Sequence, residues 1–215
     1  METLYVVLFP IIAIQQQLID VFVYLTNSIG ISIILLSLAI YSLTRPLIRM
    51  GEKIEQNHKK IQDSMVEELR YVKSHYKGEA QFNEIERIYK AKNYHPIQSL
   101  KSAASLAVQI PFLLSSMLML LSYQPLVGES FGFLTDLSKP DMQFGSVNVL
   151  PFLMAGITLL ESIIKQDMTF GEKIKFNIIT LVVIVLIYNL PSAIVLYWMT
   201  NNLVSLARTG LRATL

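Results

Sequence analysis

The residues best suited to chemistry in this chain lie within long apolar segments. Arg45 and Glu161 are the ionisable side chains inside or at the edge of such segments, and amides accompany them at Gln109, Asn177 and Asn201. Polar groups are costly in hydrocarbon, so they usually face the interior of a helix bundle or a hydrated cavity. Interhelical hydrogen bonding accounts for most of the serines and threonines taken singly, whereas these five residues together predict a hydrated cavity.

Arg45 and Glu161 have similar predicted depths, so a pair between them would lower the cost of both charges.

Covalent or metal catalysis is not indicated. The absence of cysteine excludes thiolate ligands and cysteine nucleophiles. His58, His75 and His95 lack metal-ligand spacing, and no Gly-x-Ser-x-Gly, His-Glu-x-x-His or phosphate-binding glycine loop occurs. We therefore expect a protein that is not an enzyme and that has no cofactor.

Long apolar blocks surround these residues. The chain has 215 residues, of which 53% are hydrophobic and 16% charged, and its mean hydropathy is +0.47. Soluble domains carry roughly 25% charged residues, so the composition indicates a bilayer protein. Because a spanning helix needs about 20 mostly apolar residues, we predict an all-α polytopic membrane protein with five spans, at about 29–48, 102–123, 147–164, 174–189 and 192–211. Pro191 separates the last two spans.

The segment before the first predicted span is less regular. Residues 1–27 are largely apolar, but Gln15, Gln16, Gln17 and Asp20 interrupt them. This pattern predicts an N-terminal amphipathic helix at the membrane interface rather than a full span. A sixth span is the alternative.

The distribution of basic residues orients the bundle. Twelve Lys and Arg residues lie between Arg45 and Lys101, and the predicted external loop at 124–147 holds one, Lys139. In the five-span arrangement seventeen of the eighteen basic residues fall on one side. The positive-inside rule makes that side cytoplasmic. We therefore expect a multi-pass protein of the bacterial cytoplasmic (inner) membrane with an external N-terminus and a cytoplasmic C-terminus; six spans would place the N-terminus inside.

Residues 49–98 form the large polar segment between the first span, at 28–48, and the four further spans in 99–215. Apolar residues recur at helical steps on both sides of Gly78, which predicts two amphipathic helices in a cytoplasmic hairpin. The hairpin either packs on itself with a solvated charged face or serves as a docking arm for a partner or for anionic lipid headgroups. Both interpretations can hold together.

The order of these parts resembles the YidC/Oxa/Alb family of membrane protein insertases. Six local strings carry the resemblance, which covers about residues 5 to 210. They are GISIILLS at 30–37, PL at 46–47, QIPF at 109–112, FLTDLSKPD at 133–141, LPFLM at 150–154, and PSAIVLYW at 191–198 followed by NNL at 201–203. Each string is weak alone, but all six in order are a strong signal.

The chain departs from the family pattern at one informative position. Typical bacterial members carry an arginine of the first span inside a hydrophilic groove. Counting from Gly30 and Pro46, that position is Tyr41 here, and Arg45 lies one turn further toward the cytoplasm. The chain resembles a divergent, minimal member of the family.

The resemblance implies an insertase or chaperone with a hydrophilic, cytoplasm-facing groove. Such a groove lowers the cost of moving a polar client segment across hydrocarbon, and burial of the client's apolar segment supplies the driving force. The implied partners are nascent membrane-protein clients, the bilayer, and a ribosome or Sec-type translocon, without direct nucleic-acid binding. The implied groove and client-binding residues are Tyr41, Ser42, Arg45, Gln109, Thr158, Glu161, Asn177, Trp198 and Asn201.

Two other classes of function stay open at this point. A small transporter component would also use intramembrane Arg and Glu, although the sequence has no internal repeat of the kind many transporters show. A structural subunit of a membrane complex would keep the fold and lose insertion, and Tyr41 keeps that interpretation open.

Overall fold

The computed structural model describes residues 2–95, 97, 104–142, 147–164 and 170–213. Within these ranges the fold is all-α, as predicted, with an isolated antiparallel bridge between Phe131 and Leu134. The helices are α1 (Glu2–Thr26), α2 (Ile29–Asp63), α3 (Val66–His75), α4 (Gly78–Ala91), α5 (Ala104–Ser122), α6 (Leu150–Ile164), α7 (Phe170–Ile187) and α8 (Ser192–Ala213).

The helices follow the predicted spans closely. The first predicted span lies within α2, which runs through Pro46 and on to Asp63. The others coincide with α5 to α8 within a few residues, although residues 102 and 103 of the second predicted span lie outside the described residues. By length and composition Tyr5–Thr26 and Ile29–Asp63 could cross a membrane, and Ala107–Ser122, Leu150–Ile164 and Phe176–Ile187 are shorter apolar helices.

The chain divides into two compact units. Met1–Leu43 with Phe112–Leu215 form one, here called the core unit, and Thr44–Pro111 form the other, the hairpin unit. α2 and α5 each contribute to both. The core unit buries apolar side chains from its helices around fully enclosed residues such as Ile19, Ile33, Leu36 and Ile194.

α1 contacts the core-unit part of α5 and the residue after it through two polar side chains. Gln15 is fully buried, and its Nε2 donates to Ser115 Oγ at 3.2 Å. Further along, Tyr123 donates its hydroxyl to Asp20 Oδ1 at 2.7 Å. Position 15 thus lies beside 115 and position 20 beside 123, so α1 and α5 run in the same direction. Gln15 and Asp20, which interrupt the apolar pattern of α1, bind α5 and the residue after it. The interfacial placement of residues 1–27 stays a prediction.

The loop between α5 and α6 is folded. We call residues 123–142 and 147–149 the loop cap; residues 143–146 lie outside the described residues. Asp141 Oδ2 accepts hydrogen bonds from the backbone N–H groups at the start of α6, at 2.6 Å from Val149. Ser192, at the start of α8, donates its hydroxyl and its N–H to the carbonyl of Lys139 at 2.6 and 2.8 Å. The loop cap therefore fixes the starts of α6 and α8 together.

The same cap also reaches α2 and α7. Asn148 donates its amide to the carbonyl of Tyr188, directly after α7, at 2.7 Å. The ring of Phe131 occupies the space beside Gly30 of α2 so closely that a Cβ at Gly30 would collide with it. One end of the core unit is therefore closed by a structured loop, and we call it the cap end.

The hairpin unit has its own small core. α3 and α4 pack through Met65, Val72 and Ile88, with partly buried neighbours at Leu69, Ile85, Tyr89 and Tyr94. α3 ends at His75 and α4 begins at Gly78, as the sequence predicts. The structure adds a second break, since α2 ends at Asp63 before α3 starts at Val66.

Candidate functional site

α6 and α8 of the core unit share a line of polar contacts. Ser205 Oγ and Thr209 Oγ1 donate to the same oxygen of Glu161, at 2.8 and 3.3 Å. Nearly one turn closer to the cap end, Asn202 Nδ2 donates to Thr158 Oγ1 at 3.0 Å. The two helices run in the same direction, and these side chains join them.

α7 joins the line from the other side of α6. Ser162 Oγ donates to Asn177 Oδ1 at 3.1 Å. Ser162 and Glu161 are 2% and 5% exposed, so the serine hydroxyl and the carboxylate are removed from bulk solvent. We call this set the polar cluster; its members are Thr158, Glu161, Ser162, Asn177, Asn202, Ser205 and Thr209.

The polar cluster lies away from the cap end. Glu161 follows Leu150, the first residue of α6, by eleven positions, which is about 16 Å along the helix. Ser205 follows Ser192, the first residue of α8, by thirteen positions, about 20 Å. Of the predicted site residues, the structure brings together Thr158, Glu161 and Asn177 at this end of the bundle.

Two other predicted residues bind the backbone of their own helices. Ser42 Oγ donates to the carbonyl of Leu38 at 2.8 Å, and Gln109 Nε2 donates to that of Ser105 at 3.2 Å. Both side chains are exposed. Such bonds within a helix satisfy the polar group without a partner element, so they do not by themselves indicate a groove.

Arg45 belongs to the hairpin unit and has an ionic partner there. Its Nη1 lies 3.2 Å from Glu52 Oε1, and the two side chains are 12% and 29% exposed. Glu52 follows Arg45 by seven positions, two turns along α2. The sequence pattern did not predict this partner, although the spacing places both residues on one face. The proposed pair of Arg45 with Glu161 and their membership of a common groove stay predictions.

Asn201 points to a different part of the bundle from Asn202. Its side chain lies near the hydroxyl of Tyr197, as does that of Ser116 of α5, and Ser37 of α2 donates to the backbone carbonyl of Tyr197 at 3.1 Å. Tyr197 is 1% exposed. It therefore links α2, α5 and α8, and Asn201 supports this link rather than the polar cluster.

The two predicted aromatic residues are half-buried in the core unit. Trp198 packs against the apolar core beside Tyr197. Tyr41, at the position where family members carry an arginine, is also half-buried. Neither side chain brings a charge to the core unit.

Sequence reasoning missed Ser162, Asn202, Ser205 and Thr209 as site residues. A signal was present for α8, because Asn202, Ser205 and Thr209 follow at steps of three and four and so share one helix face. No comparable periodicity marks Ser162, which stands next to Glu161 and faces α7. Its role depends on how α6 and α7 pack.

The polar cluster offers hydrogen bonding and one carboxylate. Within the described ranges, no three His, Asp or Glu side chains come together as metal ligands. Hydroxyls and amides can both donate and accept, so the cluster suits a peptide segment with varied polar groups better than a single small ligand.

The sequence matches a known protein family and several curated relatives. A family model described as 60Kd inner membrane protein matches residues 21–212. The membrane protein insertase YidC of Syntrophobacter fumaroxidans is 31% identical over 206 residues, covering 88% of this chain and 35% of that protein. The YidC of Clostridium perfringens is 28% identical over 191 residues, covering 83% of this chain and 76% of that protein.

Among solved structures, one described as an active YidC insertase with its first transmembrane domain resolved has a TM-score of 0.59 at 22% identity. The match covers 95% of this chain and 46% of that one. This similarity concerns the fold. The chain spans about a third of the length of the first curated relatives that it matches.

Proposed function

The chain belongs to the 60Kd inner membrane protein family, the YidC/Oxa/Alb insertases, and on that premise we propose that it inserts client proteins into the membrane and helps them fold there. The observation that carries the proposal is the polar cluster around the buried Glu161, at the end of the core unit opposite the loop cap. Polar side chains inside a membrane bundle usually face its interior or a water-filled cavity, where they mark the path of a substrate.

The polar cluster would act by replacing water around a client's polar segment. An unsatisfied backbone group in hydrocarbon costs several kcal/mol. The hydroxyls of Ser205 and Thr209, which now donate to Glu161, can exchange to carbonyls of a client, and the amides of Asn177 and Asn202 can donate and accept. The loop cap closes the other end, so the client segment enters from the cluster end. Burial of the client's apolar segment in lipid drives release, and the chain acts without enzymatic chemistry.

The orientation follows from the charge distribution. We propose that the loop cap faces outward and that the polar cluster, the hairpin unit and the C-terminus face the cytoplasm of a bacterial cell. The order of the contacts that α1 makes with α5 and Tyr123, with Gln15 at Ser115 and Asp20 at Tyr123, favours the six-span alternative over an external N-terminus. If α5 crosses outward from the hairpin unit, α1 crosses in the same direction and the N-terminus is cytoplasmic.

Partners follow from the proposed activity. The clients are nascent membrane proteins with a short polar segment to translocate, and the bilayer receives their apolar segments. A ribosome or a Sec-type translocon would deliver clients from the cytoplasmic side, where the basic hairpin unit would meet them. Nucleic acid is not a direct ligand in this proposal.

Reconstitution tests the activity. Liposomes with the purified full chain should protect the translocated tail of a single-span client from added protease, and empty liposomes should not. The double variant Ser205→Ala with Thr209→Val removes the two hydroxyl donors to Glu161 and should lower insertion about three- to tenfold, which corresponds to 0.6–1.4 kcal/mol for interhelical polar contacts. Insertion no better than in empty liposomes would refute the proposal.

A matched control variant is available at the cap end. The hydroxyl of Ser122 is exposed and donates to carbonyls of its own helix, at 3.1 Å from Leu118 O. Ser122→Ala makes the same chemical change away from the polar cluster. It should insert clients at the wild-type rate.

One observation favours a structural subunit as the second candidate. The charge of Arg45 is paired with Glu52, and Tyr41 stands at the family's arginine position, so no free cation is available from these positions to attract a client. A structural subunit would copurify with a stoichiometric membrane partner. A photo-crosslinker at Gln109 would then capture that partner and no nascent client.

A further inference from the structure

Trp198 of α8 carries a buried hydrogen-bond donor without an acceptor. Its indole Nε1 is shielded from solvent and has no hydrogen-bond partner among the residues that the structure describes. The ring as a whole is half-buried and packs against the apolar core. A buried indole N–H usually finds an acceptor, and leaving one without a bond is costly. A phenylalanine ring would fill most of the same space without that cost, so packing alone does not account for the donor.

Trp198 lies on the face of α8 that carries the polar cluster. Trp198, Asn202, Ser205 and Thr209 follow at steps of four, three and four, which keeps them on one face of the helix. The last three donate hydrogen bonds to residues of α6. Trp198 is therefore one turn nearer the cap end than Asn202, about 6 Å along the helix axis.

The facing turn of α6 is apolar at this level. Because Thr158 pairs with Asn202 and the two helices run in the same direction, the residues level with Trp198 are those one turn before Thr158. They are Met154 and Ala155, which are both buried. The backbone carbonyl of Met154 already accepts a hydrogen bond from Thr158 Oγ1, at 2.9 Å. The indole N–H thus extends the line of donors on α8 beyond the acceptors that α6 supplies.

The spacing of the donors on this face fits an extended peptide. In an extended chain the carbonyls of every second residue point the same way and repeat at about 6.6 Å. Trp198 and Asn202 are about 6 Å apart along α8. An extended segment whose carbonyl meets the amide of Asn202 therefore presents its next carbonyl on that side near Trp198. A helical segment cannot do so, because its own N–H groups occupy its carbonyls.

We propose that the indole N–H of Trp198 donates to a backbone carbonyl of the client's polar segment, which passes along α8 in an extended conformation. The ring is only half-buried, so a rotation about its side-chain torsions turns the N–H toward the arriving segment. The bond holds the segment in register with Asn202, and it lies nearer the cap end than the polar cluster. This inference rests on the proposed function and adds to it the conformation of the client and the atom that accepts the bond.

Fluorescence tests the contact directly, because Trp198 is the single tryptophan of the chain. The probe is a tryptophan-free peptide with a Leu-Ala span of about 20 residues and a short Gly-Ser tail, added to the full chain in lipid nanodiscs. A Gly-Ser tail is a flexible coil whose carbonyls are not paired in a helix. The indole emission should move to longer wavelength as the N–H gains an acceptor. A peptide with the same span and no tail is the control and should leave the emission unchanged.

Trp198→Phe then separates the donor from the packing of the ring. This variant should lower insertion of the client with the Gly-Ser tail about three- to tenfold. Its thermal midpoint of unfolding should be unchanged or raised, because the native N–H has no bond to lose. An alanine tail continues the helix of the span and pairs its own carbonyls, so the variant should insert that client as fast as the native chain does. A purely structural ring would instead lower the midpoint and slow both clients.

Three results would overturn the inference. An unchanged emission spectrum while the tailed peptide is retained on the nanodiscs would show that no acceptor reaches the indole. The same spectral shift with the tailless peptide would mean that the span, and not a tail carbonyl, approaches the ring. Equal insertion of the Gly-Ser client by the native chain and by Trp198→Phe would refute the role of the N–H. The proposed function fails separately, since a native chain that shows the tail-dependent shift but inserts no client would keep the contact and lose the activity.

Discussion

Gly51 allows a close approach of α2 to the start of α5 in the hairpin unit, and Gly51→Ala tests it. A Cβ at Gly51 would lie 2.7 Å from both the Cα and the backbone N of Ser105. Carbon atoms pack best at about 3.5–4.0 Å, so the helices must separate by about 0.8 Å or more. The obstructing atoms are backbone, so no side-chain rotation relieves the collision.

The same approach holds a charge-assisted contact. Ser105 donates its N–H and its hydroxyl to Glu55 Oε1, at 2.8 and 2.7 Å. A separation of about 0.8 Å would stretch both bonds to about 3.5 Å, where hydrogen bonds are weak. Overpacking costs about 1–3 kcal/mol and a lost bond to a charged group about 1.5–3 kcal/mol. Since Glu55 is half-buried and the helices can adjust, we expect Gly51→Ala to cost about 2–4 kcal/mol of unfolding free energy.

Denaturant unfolding of the full chain in lipid nanodiscs measures this cost, and the rate of limited trypsin cleavage in the basic hairpin unit reports it locally. Gly156→Ala is the control, since a Cβ at Gly156 of α6 meets no atom within 4 Å; it should be neutral or slightly stabilising. Ser105→Ala removes one bond without the collision and should cost less than Gly51→Ala. A Gly51→Ala chain as stable as the native one would refute the close packing described here.

Three further results are expected. Glu161→Gln keeps an acceptor for its hydroxyl neighbours but removes the charge, so client insertion should fall severalfold while the thermal midpoint of unfolding is unchanged. Unchanged insertion with a lowered thermal midpoint would show that Glu161 serves packing instead. Gly30→Ala should displace Phe131 and raise protease cleavage of the loop cap severalfold, with cleavage of the hairpin unit as the internal control. The hydrogen bond from Lys139 and those from Ser138 hold the pKa of Asp136 well below its usual range. The stability that Asp136 contributes is therefore present above about pH 4 and is lost as pH falls toward the lowered pKa. Hydrogen exchange in the loop cap, corrected for intrinsic rates, should accelerate at low pH. Asp136→Asn should remove that pH dependence.

The sequence predicted the helices well, because hydrocarbon imposes a length and a composition on every span. Blocks of apolar residues bounded by charges located α2 and α5 to α8, and Pro191 marked the break between the last two. Periodicity also predicted the two helices of the hairpin on either side of Gly78. The six ordered strings identified the family, which the family-model match confirms.

Other features depended on how the helices pack. Gln15 and Asp20 are polar interruptions of the apolar pattern of α1, and in the structure they meet Ser115 and Tyr123 of a segment about a hundred residues away. No local pattern encodes such a pairing.

The candidate site likewise has some features that the sequence determined and others that depended on helix packing. The sequence by itself determined that Thr158, Glu161 and Asn177 lie in spans where polar groups need partners. Only the tertiary structure decided which partners they have, with Ser205 and Thr209 at Glu161 and Ser162 at Asn177. Composition sets the cost of a polar group in the membrane, but the rotation of each helix about its axis decides which side chain meets it.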